Sequence, residues 1–355
     1  MSLSSRVSPL TRRRWANFRA NKRGYWSFCL FLVLFGVTLF AELIANDKPL
    51  VIRYQDQFYF PLVATYAETE FGGEFQVEAD YKERVVQNLI TDAGGWMIWP
   101  PIRFRYDTID YDIPGPAPYP PSKEHWLGTD TVGKDVLASL IYGVRLSFLF
   151  GLVLTLLSSV IGVCAGGVQG YFGGKVDLIA QRFVEIWAGL PALFILIILA
   201  SIVESNVYWL LGLLVAFGWM ALVGVVRAEF LRARNFQYIS AARALGVGDV
   251  RIMLRHVLPN AMVATITFLP FILTGSVTVL TSLDFLGFGL PSESPSLGRL
   301  LAQGRANSIH APWLGLTTFL TMAVMLTLLI FTGEAARDAF DPRKDPGAGP
   351  TRRHI

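Results

Sequence analysis

The sequence has few of the residues that carry chemistry in soluble enzymes. Of its 355 residues, 16% are charged, four are histidine and two are cysteine. Cys29 and Cys164 both lie inside long apolar runs, so they indicate no disulfide framework. The histidines are scattered without metal-ligand spacing, and no G-x-S-x-G motif or pair of carboxylates occurs inside an apolar run. We therefore predict no catalytic residue and no metal site, and do not expect an enzyme.

A complete phosphate-binding loop is also missing. Gly128, Gly133 and Lys134 fit the pattern G-x-x-x-x-G-K, but Asp135 stands where the motif needs a Ser or Thr hydroxyl to bind magnesium. The spacing of the apolar residues that follow instead predicts an interfacial helix within residues 126–145. Asp135 would be its N-cap, and its apolar face would comprise Val136, Leu137, Leu140 and Ile141.

Long apolar runs are what the sequence has in abundance. Hydrophobic residues make up 53% of the chain, and the mean hydropathy is +0.45. A helix of about 20 residues spans a hydrocarbon core of about 30 Å. Six runs of about that length predict six transmembrane helices in an all-α polytopic membrane protein: 24–44, 146–167, 179–203, 208–226, 262–283 and 313–331. The Gly-Leu-Pro sequence at 189–191 predicts a kink in the third span.

Lysine and arginine predict the orientation. Residues 1–23 hold seven basic and no acidic residues, so this segment is expected to be cytoplasmic. Six spans then place the loop 227–260 and the tail 334–355 on the same side, so that both termini are cytoplasmic. This threading leaves 20 basic residues inside and 11 outside. The net charge of +4 thus orients the chain in the membrane and requires no nucleic acid.

An insert at residues 45–125 interrupts the apolar pattern. Between residues 46 and 125 lie 13 acidic and 7 basic residues, 14 aromatics and nine prolines. The alternation in VIRYQDQFYF and PPIRFRYDTIDYDI predicts short strands, with Ile102, Phe104 and Tyr106 facing one way. We expect a small mixed, β-containing domain outside the membrane. Its two possible roles are to dock an extracytoplasmic partner or to brace the bundle.

Small and hydroxyl residues follow helical spacing in two of the spans. In the fifth span one stripe holds Thr267, Thr274, Thr278, Thr281 and Ser282, which are candidates to line a translocation path. The alternative is that these hydroxyls bond to preceding carbonyls and pack against neighbouring helices. In the second span, a similar face is predicted to pack against another helix; it holds Thr155, Ser159, Gly162 and Gly166.

A basic stretch of small residues, 238–260, separates the fourth and fifth spans. It predicts a first helix capped near Asn235 and ended by Gly246 or Gly248. A second helix, with Asp249 as N-cap, would run until Pro259 stops it. The apolar face of the second helix would comprise Val250, Met253, Leu254 and Val257. Ala241 and Ala242 would let a partner approach the backbone, whereas the alternative is an amphipathic helix lying on lipid.

The sequence SAARALGVGDVRIMLRHVLPN resembles the EAA loop of the membrane subunits of binding-protein-dependent ABC importers. That loop has Glu-Ala-Ala, a Gly four residues after the last Ala, and a later Ile-x-x-x-x-x-Leu-Pro. The matching residues are Ala241, Ala242, Gly246, Ile252, Leu258 and Pro259. Ser240 stands where the family usually has Glu, so any ionic contact of that carboxylate is not carried over to this chain.

Four further stretches resemble the dipeptide and oligopeptide importers and cover nearly all of residues 125–343. They are HWLGTDTVGKDVLASLIYGVRLSFLFG, QGYFGGKVD, TSLDFLGFGLPSESPSLGRLL and RDAFDPR. The N-terminal residues and the insert around GGWMIWPPIRFRYDTID resemble, more narrowly, the Yej-type importers of peptides and of the peptide-nucleotide antibiotic microcin C.

The resemblance implies a type I ABC importer (MetI-like) permease fold in a bacterial inner membrane. Its expected partners are a second permease as heterodimer, two cytoplasmic ATPase domains that bind ATP and magnesium, a periplasmic peptide-binding protein and membrane lipid. No cofactor is expected in this chain. The residues expected to couple to the ATPases are Ser240, Ala241, Ala242, Gly246, Val250, Met253, Leu254, Leu258 and Pro259. A permease for another solute such as nickel, and a self-contained secondary transporter, are the alternatives.

Overall fold

The computed structural model describes residues 9–203 and 206–340, most of which lie in helices. The helices are α1 (Pro9–Ala20), α2 (Lys22–Leu39), α3 (Ala41–Ile44), α4 (Arg84–Asp92), α5 (Val136–Phe172), α6 (Gly174–Ala188), α7 (Ala192–Ile202), α8 (Val207–Gly218), α9 (Met220–Ala233), α10 (Gln237–Ala244), α11 (Asp249–Ile252), α12 (Leu258–Phe285), α13 (Leu297–Ala306) and α14 (Pro312–Phe340). The predicted basic residues before residue 9 and the predicted tail after residue 340 lie outside the described ranges.

Five helical stretches among the described residues are long and apolar enough to cross a membrane: Lys22–Leu39, Val136–Phe172, Val207–Ala233, Asp249–Phe285 and Pro312–Phe340. Helices α6 and α7 pass the same test together but are bent by 70°. The bend falls at the Gly-Leu-Pro sequence 189–191, as predicted, because a proline cannot donate a backbone hydrogen bond to the preceding turn. With this pair taken as one broken span, the six predicted spans are present.

The second span begins earlier than predicted. The separate interfacial helix predicted within 126–145 is wrong, because the residues from Val136 onward are the first turns of α5, which is 37 residues long. No proline interrupts those residues, so nothing ends the helix at the expected boundary. At its start Asp135 is the predicted N-cap: its Oδ1 accepts a hydrogen bond from the Ala138 backbone N–H at 2.8 Å.

Helices α5 and α9 pack with their backbones in close contact. Three glycines of α5 are spaced four residues apart. They face three carbonyls with the same spacing, one just before α9 and two within it. A Cβ on any of these glycines would lie 2.4 to 2.6 Å from a carbonyl oxygen; the pairs are Gly162 with Trp219, Gly166 with Val223 and Gly170 with Arg227. Only glycine permits this approach, which confirms that the small-residue face of the second span packs against a helix.

The insert contains two strands within VIRYQDQFYF, where short strands are predicted, and a third strand that the sequence pattern does not indicate. Strands β1 (Val51–Tyr54), β2 (Gln57–Tyr59) and β3 (Trp96–Ile98) form an antiparallel sheet in the order β2-β1-β3. Beneath it lie α4 and a 3₁₀ turn, around a core that includes Ile52, Phe71 and Ile90. The insert is therefore a small domain with a hydrophobic core of its own.

The strand predicted in PPIRFRYDTIDYDI is wrong. Ile102 forms only an isolated bridge with Ala45, because the prolines before it cannot donate to a sheet. Its predicted facing is nevertheless correct: Ile102 and Phe104 are buried in one cluster against α5, with Tyr106 half-buried beside them. This segment holds the insert onto the end of the bundle where α5 begins, which we call the insert end. The opposite end, where α5 and α9 finish, is the basic end.

A buried ionic cluster closes the insert end. The His125 side chain is 2% exposed, with Nδ1 2.8 Å from Asp135 Oδ2 and Nε2 3.1 Å from Asp110 Oδ2. Burial alone lowers the pKa of the His125 imidazole, but the hydrogen bonds to Asp135 and Asp110 outweigh burial, so that its pKa is raised. One imidazole thus ties the insert, through Asp110, to the N-cap of α5.

Candidate ATPase-coupling surface

The segment between α9 and α12 folds as two short helices joined by a tight turn. Helix α10 ends at Gly246, whose φ of +78° is a left-handed conformation that glycine adopts without steric cost. The predicted stop at this glycine is confirmed. The predicted cap is wrong: Phe236 precedes the first turn without a side-chain bond, while Asn235 Nδ2 donates to the carbonyl of Leu231.

Pro259 does not end the second helix, contrary to prediction. A π-helical turn, Met253–Val257, follows α11, and Pro259 is the second residue of α12. Proline is tolerated in a first turn because its missing N–H is not needed there, and the π turn changes the hydrogen-bond register just before it. The coupling segment, defined here as residues 237–257, therefore runs without a break into the fifth span.

The predicted apolar face of the second helix is divided between two environments. Val257 is fully buried, and Met253 is half-buried against the same cluster. Val250 and Leu254, by contrast, are 69% and 60% exposed. The expectation of one face formed by all four residues is wrong, because the π turn rotates Val257 into the bundle.

Three fully buried side chains anchor the coupling segment to the bundle. Ile239, Ile252 and Val257 pack into a core with Phe230 of α9 and Ala261 of α12. The position of the segment is thus set by α9 and α12, while Leu245, Val250 and Leu254 point outward.

The outward surface of the coupling segment combines apolar and basic side chains. Leu245 is 83% exposed and lies near Val250 and Leu254 in the sequence. A shallow, open cavity of about 720 Å³ is lined by Gly248, Asp249, Val250, Arg251, Leu254 and Arg255. Of the other predicted coupling residues, Ser240, Ala241, Gly246 and Pro259 are exposed, while Ala242 and Leu258 are half-buried. Most of the predicted set is therefore accessible, and its role in coupling stays a prediction.

A tyrosine that the sequence analysis missed connects this surface to α5. The Tyr171 hydroxyl donates to Asp249 Oδ1 at 2.5 Å, and Arg243 Nε donates to the same hydroxyl at 3.3 Å. Asp249 was predicted to cap its own helix, which is wrong: Gly248 precedes that helix, and the carboxylate points to α5 instead. The residues are 78 and 72 positions from Tyr171, so no local pattern indicates the contact.

The hydroxyl residues of the fifth span bond to their own helix. Each donates to a carbonyl three or four residues earlier: Thr267 to Ala264, Thr274 to Pro270, Thr278 to Thr274, Thr281 to Val277 and Ser282 to Thr278. Thr281 is buried in the bundle, whereas Thr278 and Ser282 are exposed. Thr267 and Thr274 are half-buried, so the stripe is divided between buried and accessible positions. Its role in lining a path stays a prediction.

Near the insert end, one arginine organises the loop between α12 and α13. Arg299 donates to the carbonyls of Leu290 at 3.0 Å and Pro291 at 2.9 Å. Buried Asp284 accepts hydrogen bonds from the Leu290 N–H and the Ser296 hydroxyl, both at 2.6 Å. This loop lies within TSLDFLGFGLPSESPSLGRLL and borders a small cavity of about 90 Å³ shared with Tyr106 and Lys134 of the opposing segments.

The described residues include no group of three or more His, Cys, Asp and Glu arranged to hold a metal ion.

The chain belongs to the family described as the binding-protein-dependent transport system inner membrane component, which matches residues 137–346. The match begins within the first turn of α5 and includes the coupling segment. The protein is therefore a multi-pass inner-membrane permease with the type I importer fold, as the EAA-like stretch predicts.

Curated relatives extend the similarity beyond the family region. The chain is 61% identical over 340 residues to the inner membrane ABC transporter permease protein YejE of Escherichia coli (strain K12), covering 96% of this chain and 99% of that protein. It is 56% identical to the peptidoglycan transport system permease protein YejE of Agrobacterium fabrum, covering 95% and 94%. It is 33% identical to the oligopeptide transport system permease protein OppC of Mycobacterium bovis, covering 72% and 87%. These names give no support to the alternatives of nickel uptake and a self-contained carrier.

Proposed function

We propose that this chain is the permease subunit of a peptide importer and that the coupling segment binds a cytoplasmic ATPase. The observation that supports the proposal best is the exposure of Leu245, Val250 and Leu254 on a segment whose anchors are fully buried. A protein surface that leaves several neighbouring apolar side chains exposed is typical of a binding site. The name of the OppC relative supports peptides as the substrate.

In this proposal the basic end faces the cytoplasm and the insert end faces the periplasm. The excess of basic residues assigned to one side supports that orientation. A second permease completes the translocation path, a peptide-binding protein docks at the insert end, and two ATPase domains bind ATP and magnesium. The Arg299-ordered loop and the insert are the surfaces available for the binding protein.

The free energy gained by covering the exposed apolar side chains is similar in size to the free energy that a change of transporter state needs. Covering a side chain such as Val or Leu is worth about 1.5–3 kcal/mol. Shifting a two-state transporter from 1:99 to 99:1 needs about 5.5 kcal/mol. Three such side chains supply an amount of this size before the costs of association. Hydrolysis in a separate subunit can thus drive this chain through a non-covalent joint.

The test is to place a charge on the coupling surface. Val250→Asp in the complete importer is expected to abolish co-purification of the ATPase and peptide uptake, because a carboxylate would be buried against the partner. The matched control is Val63→Asp on the insert, where the side chain is 88% exposed; it is read by ATPase recovery alone, which is expected to be unchanged. Normal ATPase recovery and uptake with Val250→Asp would contradict the proposal.

A further inference from the structure

The hydroxyl group of Tyr171 joins three helices at one point. Tyr171 is 2% exposed, one residue before the end of α5, so its ring is fixed by the bundle. Its hydroxyl donates to Asp249 of α11 at 2.5 Å and accepts from Arg243 of α10 at 3.3 Å. The guanidinium of Arg243 also lies over the ring, 4.9 Å from its centroid.

These contacts lie on both sides of the turn at Gly246. Arg243 precedes the glycine and Asp249 follows it, and their own ionic contact is long, with Nε 4.0 Å from Oδ1. The two charged side chains are about half exposed, so neither is held by burial. The tyrosine hydroxyl is therefore a polar contact that joins both helices to α5, in addition to the buried anchors Ile239 and Ile252.

Helix α5 is suited to carry movement to this point. It runs without a break from the N-cap Asp135, which contacts His125 at the insert end, to Tyr171 at the basic end. Between them its glycines lie against the backbone of α9, and its Thr155 hydroxyl is 3.2 Å from that of Ser276 in α12. Helix α5 is thus a continuous path between the insert end and the Tyr171 hydroxyl.

We infer that Tyr171 is a positioning residue that transmits the state of α5 to the coupling segment through its hydroxyl. This inference rests on the proposed function, since it requires the coupling segment to bind an ATPase. The ring and the hydroxyl have separate roles in it. The ring fills the core around Ile239 and Ile252, whereas the hydroxyl sets the angle of α10 and α11.

The test is Tyr171→Phe in the complete importer reconstituted in vesicles, with peptides transported per ATP hydrolysed as the readout. Phenylalanine keeps the ring, so ATPase recovery and the KM for ATP are expected to be unchanged. Transport per ATP is expected to fall about tenfold, the size of change that loss of one hydrogen bond to a charged group produces in a two-state balance. Asp249→Ala is expected to give the same loss, and the double variant no further loss.

Tyr142→Phe is the matched control. Tyr142 is also in α5 and also 2% exposed, but its hydroxyl donates to the carbonyl of Ala45 at the insert end, at 3.0 Å. Its loss is expected to leave transport per ATP unchanged. Unchanged transport per ATP in Tyr171→Phe, or losses that add in the double variant, would overturn the inference. Failure of the proposed function would show separately, as normal ATPase recovery with Val250→Asp.

Discussion

The two ends of the bundle differ in which side chains they bury: charged groups are buried at the insert end, and apolar side chains are exposed at the basic end. At the insert end, the charged groups of His125, Asp110 and Asp135 are turned inward and satisfy one another. At the basic end, the apolar side chains of Val250 and Leu254 are turned outward. Buried charges cost free energy unless they are paired, and exposed apolar groups forgo the free energy of burial.

This contrast shows that the buried charges of one end are satisfied within the chain, since His125, Asp110 and Asp135 are partners of one another. Apolar side chains are exposed at both ends: Val63 and Phe75 of the insert are 88% and 63% exposed. The coupling segment leaves apolar surface uncovered although Ile239 and Ile252 fix its position firmly. The coupling segment therefore combines a firmly fixed backbone with exposed apolar side chains, which is the combination that the proposed ATPase contact needs.

The largest effect is expected from removing the histidine of the insert end. His125→Leu would leave two buried carboxylates without their shared partner, at a cost of about 3–5 kcal/mol in the free energy of unfolding. Thermal unfolding of the purified protein measures this loss. The control is His310→Leu, since His310 is exposed at the same end. Equal stability of the two variants would show that the ionic cluster does not close this end.

A smaller effect is expected from separating the helices that connect the two ends. Gly166→Leu would place a side chain against the carbonyl of Val223, where a Cβ already lies at 2.6 Å. Overpacking of this kind costs about 1–3 kcal/mol, and resistance to proteolysis should fall. Gly224→Leu on α9 is the control, because nothing lies within 4 Å of its Cβ position. If both variants resist proteolysis equally, the backbone contact is not a source of stability.

Raising the pH should weaken the insert end without any substitution. The raised pKa of His125 means that the fold favours the protonated imidazole. The stabilisation is complete below the unfolded pKa of about 6.5 and is lost as the pH rises through the raised pKa of the folded protein. Hydrogen exchange of residues 102–135 should accelerate over that interval, and the coupling segment should show no matching change. Acceleration as the pH falls would contradict the assigned sign.

The smallest effect is expected at the turn of the coupling segment. Gly246→Ala forces a Cβ into a backbone with φ +78°, at a cost of about 1 kcal/mol. No neighbouring atom lies within 4 Å of that Cβ, so the strain is confined to the backbone. A shift of a few degrees in the thermal midpoint, measured against Gly248→Ala, where φ is −63°, is the expected result. Identical midpoints would mean that the turn relaxes freely.

The features that sequence predicted are those with a local signal. Long apolar runs predicted the spans, Pro191 predicted the bend in the third span, and Gly246 predicted the end of α10. The π turn left no such signal, and it moved Val257 from the predicted outer face into the core.

Contacts between distant residues also escaped prediction. Tyr171 meets Asp249 only because α5 and the coupling segment are brought together by the packing of α9. The scattered histidines predict no site at His125, yet folding places a carboxylate against each ring nitrogen. Such sites depend on the tertiary arrangement, which periodicity and composition do not contain.

Photo-crosslinking in the assembled importer tests the central claim most directly. A photoreactive amino acid is placed at Val250 on the coupling surface and, as control, at Tyr111, which is 85% exposed on the insert. The account predicts that Val250 captures an ATPase subunit and that Tyr111 does not. Capture of lipid alone at Val250, in an importer that hydrolyses ATP and takes up peptide, would contradict it.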